Sequence, residues 1–169
     1  MLFMRQFDVV AIWCIVTLIA EADMQADYHD PKAEIIAQIG LSSSTFDNPS
    51  VYIDTVRSGI TGNVAKRILE TFDVKRSVAA SILQTQESNV ARLYNRANIK
   101  GNVAEDLLQS LKVNLKALEV FEDKGLVSEW MDTAIPVLDG NTPNSLMDTC
   151  EGRSWIIATL DRIEFGEFS

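Results

Sequence analysis

Residues 130–168, WMDTAIPVLDGNTPNSLMDTCEGRSWIIATLDRIEFGEF, alternate short apolar anchors with turn and helix-start signals, and their reading decides an all-α fold. Trp130 closes a preceding helix, Ile135, Pro136 and Leu138 are apolar anchors, and Asp139-Gly140-Asn141 is a turn of residues that tolerate unusual backbone angles. Thr142 is a predicted N-cap, with Pro143 at the first helical position, where its missing N–H costs nothing. The short helix carries Leu146 and Met147, and Glu151-Gly152 is predicted to punctuate it. In the last helix Ile156, Thr159, Leu160 and Ile163 recur at helical spacing on one face, and Gly166 is predicted to end it in a left-handed conformation before Phe168. Such a unit either presents a face to a partner or is a plain helical hairpin that completes the core. Periodicity does not distinguish the two.

Upstream of this tail the charge changes sign. Residues 57–116 hold ten basic side chains against five acidic ones, within a chain of formal net charge −9, so a basic island lies between acidic flanks. Inside the island, residues 76–95, RSVAASILQTQESNVARLYN, fit a helix–turn–helix frame. Ala79 and Ala80 supply the small residues where two helices cross, Ile82 and Leu83 anchor the first helix, and Val90 and Leu93 pack the second back onto it. Gln84 stands at the turn position where glycine is usual, because φ is often positive there.

On the second helix Gln86, Glu87, Ser88, Asn89 and Arg92 are the candidate base-reading residues, since Gln and Asn pair with adenine and Arg with guanine. Lys75, Arg76, Arg96 and Lys100 flank it as candidate phosphate contacts. The competing account is a three-helix packing motif without DNA.

The rest of the chain reads as helix and linker. Pro31 starts a short helix after an Asp30 N-cap, Gly40 ends it, and residues 41–50, LSSSTFDNPS, are a polar linker. Val64, Ala65, Ile68, Leu69 and Phe72 form an apolar stripe. Asn102 and Glu105 form a variant capping box that opens a helix carrying Leu107, Leu108, Leu111, Leu115 and Leu118 inward until Lys124-Gly125 stops it. Three regions follow: an N-terminal extension over 1–50, a helix–turn–helix domain over 51–124 and a C-terminal unit over 125–169.

Residues 9–20, VVAIWCIVTLIA, are an apolar run open to three readings: a secretory signal, a buried N-terminal helix, or part of an over-extended frame whose true start is Met24. The third is favoured, because the domain-like pattern begins after Met24; it implies a cytoplasmic protein. The run is short for a transmembrane helix, and no membrane partner is expected. Cys14 and Cys150 lack metal-type spacing and His29 is the single histidine, so neither a zinc site nor a His-based catalytic triad is expected, and no cofactor is implied.

A Trp ahead of L-x-G-x-T-P-x-x-L, then an acid-Gly pair, then L-x-R-I-E-[YF]-G, resembles the C-terminal toxin-binding domain of the MbcA/ParS/Xre antitoxin family. The residues that carry the resemblance are Trp130, Leu138, Gly140, Thr142, Pro143, Leu146, Gly152, Leu160, Arg162, Ile163, Glu164, Phe165 and Gly166. Asn144 and Asp148 depart from the apolar or small residues usual there. Leu83 and Arg92 keep two positions of the Xre-like helix–turn–helix of the same family, whose Gly, Ser and Thr are replaced.

The resemblance implies a type II antitoxin without enzymatic activity. Its tail would bind and block a RES-type, NAD-consuming (or ADP-ribosylating) toxin, and its helix–turn–helix would hold operator DNA as a homodimer within a larger toxin–antitoxin complex. The implied toxin contacts are Arg153, Asp161, Arg162, Glu164, Phe165, Gly166, Glu167 and Phe168. Two rivals stand beside it. One is an ordinary helix–turn–helix regulator with a C-terminal dimerisation domain; the other is a small enzyme using Asp148 and Glu151, near Arg153, as acid and base.

Overall fold

The computed structural model describes residues 31–166, which are all-α apart from one isolated antiparallel backbone pairing. The apolar run at 9–20, Cys14, Met24, His29, the Asp30 cap, Glu167 and Phe168 lie outside the described residues. Helix α1 (Pro31–Ile39) buries Ile35, Ile36 and Ile39. It ends at Gly40, whose φ of +92° lets its own N–H and that of Leu41 both reach the Ile36 carbonyl, at 3.2 and 3.1 Å. After a 3-10 turn at Ser43–Thr45, α2 (Pro49–Ser58) begins under the Asn48 cap.

Helix α3 (Gly62–Thr71) starts at Thr61, whose hydroxyl accepts from the Val64 N–H, and buries Ala65, Ile68 and Leu69. Helix α4 (Arg76–Ile82) leads through a tight turn into a 3-10 turn (Glu87–Asn89) that runs on into α5 (Val90–Leu93). The expected anchors Ala79, Ala80, Ile82, Leu83, Val90 and Leu93 are all buried. Two close approaches tie this segment to its neighbours. Ile60 and Ile99 exchange backbone hydrogen bonds of 2.9 and 2.7 Å. A Cβ on Gly62 would lie 2.3 Å from the Leu93 carbonyl oxygen, so only glycine admits α5 this close to α3.

Helix α6 (Asn102–Phe121) is the axis of the described residues, packing against α2, α3 and α4 on one side of the chain order and, on the other, α7 (Lys124–Asp132) and α8 (Cys150–Glu164). Leu107, Leu108 and Leu111 are wholly buried, and Leu115 and Leu118 nearly so. Between α7 and α8 the chain makes 3-10 turns at Pro136–Leu138 and Pro143–Leu146, the second capped by Thr142, whose hydroxyl accepts from the Ser145 N–H at 3.3 Å. From Lys32 onward the described residues form one compact unit, with α6 shared by the two halves.

Three boundaries differ from the sequence reading. Asn102 is the first helical residue of α6, not its cap; Gly101 precedes it with φ +67° and no side-chain bond closes that end. The helix stops at Glu122, in the left-handed region at φ +57°, before Lys124-Gly125 is reached; Asp123 then caps α7 by accepting from the Leu126 N–H at 2.9 Å. An Asp at an N-cap outweighs the breaking tendency of the glycine after it, since Gly125 sits in the tolerant first turn.

Finally, Glu151-Gly152 lies inside the first turn of α8, which Thr149 caps. Gly152 is there for space: a Cβ would stand 2.1 Å from the Leu146 carbonyl oxygen and 2.7 Å from Thr149 Oγ1. It seats the 3-10 turn against α8.

Candidate partner and nucleic-acid surfaces

Within residues 76–96, Gln86, Glu87, Ser88, Arg92 and Arg96 are exposed and Asn89 is half-buried. The second helix is short, a 3-10 turn of three residues followed by four α-helical ones. Two of the candidate phosphate contacts have intramolecular partners. Arg76 donates from Nε to the Glu87 carbonyl at 2.9 Å, tying the start of α4 to the 3-10 turn at Glu87–Asn89. Lys75 pairs with Asp132 of α7 at 2.9 Å. Asp132 also accepts from Asn144 Nδ2 at 3.0 Å, and these two donors, Lys75 foremost, hold its carboxyl below the usual carboxylate range.

Gln84 adopts φ +51°, the left-handed conformation expected of its position although it is not glycine. Its amide is not idle there. Nε2 donates to Asp106 Oδ2 at 2.8 Å, on the first turns of α6.

On the C-terminal side the expected toxin contacts divide. Arg162 is exposed, Gly166 has φ +66°, and Phe165 is 74% exposed. Asp161 and Glu164 lie one turn apart on α8 and both hold Lys116 of α6, at 3.0 and 2.6 Å. The Glu164 hydrogen bond is the main reason the Lys116 ammonium is held above its ordinary range, against the opposing effect of its partial burial. The cluster keeps one surplus negative charge.

Arg153 faces the interior. It is 4% exposed, its Nη1 donates to the Met147 carbonyl at 2.7 Å, and its Nη2 pairs with Asp106 at 2.5 Å. A guanidinium this far inside the molecule is held by fixed acceptors, which is why it turns inward from the first turn of α8 instead of out to solvent. Asp148 and Glu151, the acid and base of the enzyme reading, are exposed, while Arg153 points away from them into the interior.

Lys116 and Asp106 were absent from the sequence-based set. Lys116 meets Glu164, and Asp106 meets Arg153, across more than forty residues, and no local spacing announces such pairs.

Alongside the Lys116 cluster runs a groove of about 240 Å3, with Phe46, Leu115 and Ile157 as its apolar lining and Lys32, Lys112, Lys116, Glu119 and Asp161 as its charged lining. Among the described residues, no cluster of three or more His, Cys, Asp or Glu side chains is placed to hold a metal ion, and no helix is long and apolar enough to cross a membrane.

The sequence model of the antitoxin Xre/MbcA/ParS C-terminal toxin-binding domain matches residues 116–166. The match begins inside α6, at Lys116, and runs to Gly166, just past the end of α8. It therefore takes in α7, both 3-10 turns, the Lys116–Asp161–Glu164 cluster and Phe165. No curated protein matches the chain.

Proposed function

From a chain that carries, over residues 116–166, the C-terminal toxin-binding domain of the Xre/MbcA/ParS antitoxin family, we propose an antitoxin that plugs the active site of a RES-type, NAD-consuming toxin with the end of α8 and represses its own operon through the helix–turn–helix. The observation that carries the toxin reading is Phe165. It is the most exposed large apolar side chain among the described residues, and it lies at the end of a helix whose Ile156 and Leu160 are wholly buried. A ring held out in water by a rigid helix costs the free chain solvation and is recovered when a partner's hollow covers it.

Charge supports the same reading. An enzyme that handles the pyrophosphate of NAD presents cations, and the Lys116 cluster with its surplus carboxylate offers them a complementary rim. Arg162, Phe165 and Gly166 are the contacts of this proposal within the described residues, with Glu167 and Phe168 as its extension. No bond-making step is asked of this chain, and its action is exclusion. A two-fold dimer would set two recognition segments on successive turns of a palindromic operator, about 34 Å apart, with Gln86, Ser88, Asn89 and Arg92 toward base edges and Arg96 toward phosphate. Operator binding would place the protein in the cytoplasm.

Deletion of residues 165–169 tests the plug without opening the core, since Leu160 and Ile163 stay in place. Co-expressed with the neighbouring toxin gene, the shortened chain should be soluble and helical yet fail to protect cells. Full protection by the shortened chain would refute the plug. A neighbouring gene for an ordinary metabolic enzyme would favour the regulator with a dimerisation domain.

A further inference from the structure

Asp106 is gripped from two sides. Its Oδ2 accepts from the side chain of Gln84, in the turn of the helix–turn–helix, at 2.8 Å, while its Oδ1 pairs with Arg153, in the first turn of α8, at 2.5 Å. The two partners are far apart in sequence and belong to different halves of the fold, Arg153 lying inside the matched toxin-binding residues and Asp106 and Gln84 outside them. The Arg153 and Asp106 side chains are 5% and 16% exposed, so the pair is shielded from water and salt. Arg153 Nε is buried with no acceptor, so the guanidinium is incompletely satisfied. A pair with an unmet donor is a poor source of stability and a better means of specifying one geometry.

Gln84 is where that geometry matters. At φ +51° a residue with a Cβ is disfavoured, and only a local interaction or glycine makes the conformation acceptable. The following residues, Glu87–Asn89 and Val90–Leu93, are the short recognition segment, and the direction in which they leave the turn depends on that dihedral.

We propose that Asp106 is a positioning residue through which the toxin-binding unit sets the recognition segment: Arg153 fixes Asp106, and Asp106 fixes Gln84 in its left-handed turn. Segment 87–93 is therefore only partly organised by its own helix–turn–helix contacts. The first turn of α8 completes it.

The test is a rescue. In the full chain, Gln84→Ala keeps the strained turn and removes the pin, whereas Gln84→Gly removes both strain and pin; Arg153→Met frees Asp106 from α8. Amide hydrogen exchange of residues 85–93 should quicken about tenfold in Gln84→Ala and in Arg153→Met relative to the parent chain. It should return toward the parent rate when Gln84→Gly is added to Arg153→Met. Retention on a duplex from the region upstream of the chain's own reading frame should follow the same order, and this second readout rests on the DNA reading above.

Unchanged exchange in Gln84→Ala, or an Arg153→Met chain that glycine at 84 does not rescue, overturns the coupling. Should Arg153→Met fail to fold, Arg153→Lys, which keeps a cation but not the guanidinium grip on Asp106, takes its place in the same comparison with and without Gln84→Gly. Loss of duplex binding by the parent chain with the exchange pattern intact overturns the DNA reading and leaves the coupling standing.

Discussion

On the plug proposed above, Phe165→Ala separates folding from partner binding, because the exposed ring contributes little to folding. Its residue is 74% exposed in the free chain, and the helix it terminates is anchored by Ile156 and Leu160, both wholly buried. A phenylalanine buries on the order of 200 Å2 when covered, so about 150 Å2 is available to a partner, worth ~4 kcal/mol at ~25 cal/mol per Å2 before side-chain ordering is charged against it. Ordering costs about 1 kcal/mol. A net loss of about 3 kcal/mol is roughly a hundredfold weaker affinity.

Stability should move by no more than about 0.5 kcal/mol, as for other exposed positions without special contacts. Calorimetric titration of the purified toxin with parent and variant, beside thermal unfolding of each alone, reads both quantities. The reciprocal control is Leu160→Ala, a wholly buried position, which should lose ~2–5 kcal/mol of stability. A Phe165→Ala chain that binds as tightly as its parent, or that unfolds many degrees earlier, refutes the assignment of this ring to a partner.

Gly152→Ala should destabilise by about 1–3 kcal/mol, since the new Cβ meets the backbone oxygen of Leu146, which cannot rotate away; urea unfolding with an unchanged slope checks it. Asp132 has its carboxyl held down by Lys75 and Asn144, so its contribution is fully present above pH 3.8, the ordinary value, and is lost as pH falls through the lower folded value. The stability gap between the parent and Asp132→Asn should therefore narrow on acidification; a gap independent of pH would exclude the carboxylate as its source. Burial first, and the charge of Glu105 second, push the Tyr52 phenol up from 10.0 to about 12. The unfolded chain then releases this proton before the folded one, so stability should fall between about pH 10 and pH 12, and Tyr52→Phe should remove that part of the slope.

Much of the local architecture is legible from residue order alone. Gly40 and Gly166 close helices in the left-handed region, Thr142-Pro143 opens a short one, and Ala79, Ala80, Ile82, Leu83, Val90 and Leu93 are buried as their spacing predicts. Each of these depends on neighbours within a few positions, where backbone sterics and a single capping bond decide the outcome. Even there, competition between local signals was resolved by the cap actually made: Asp123 rather than Lys124-Gly125 set the corner between α6 and α7.

Side-chain roles along α8 belong to the tertiary structure. Arg153 is an Arg on an amphipathic helix and reads as a surface contact, yet it is buried against Asp106; Phe165 is apolar, yet it stands in water. Lys116 and Asp161 are ordinary surface charges until α6 and α8 lie side by side and bring them within 3.0 Å. The amino-acid order by itself determined the helices, their caps and the motif that identifies the C-terminal domain, because these arise from interactions between near neighbours. Which charges meet, which turn inward and which ring is left in water was decided only when distant helices packed, because a buried charge finds its acceptor by position in space and not by distance along the chain.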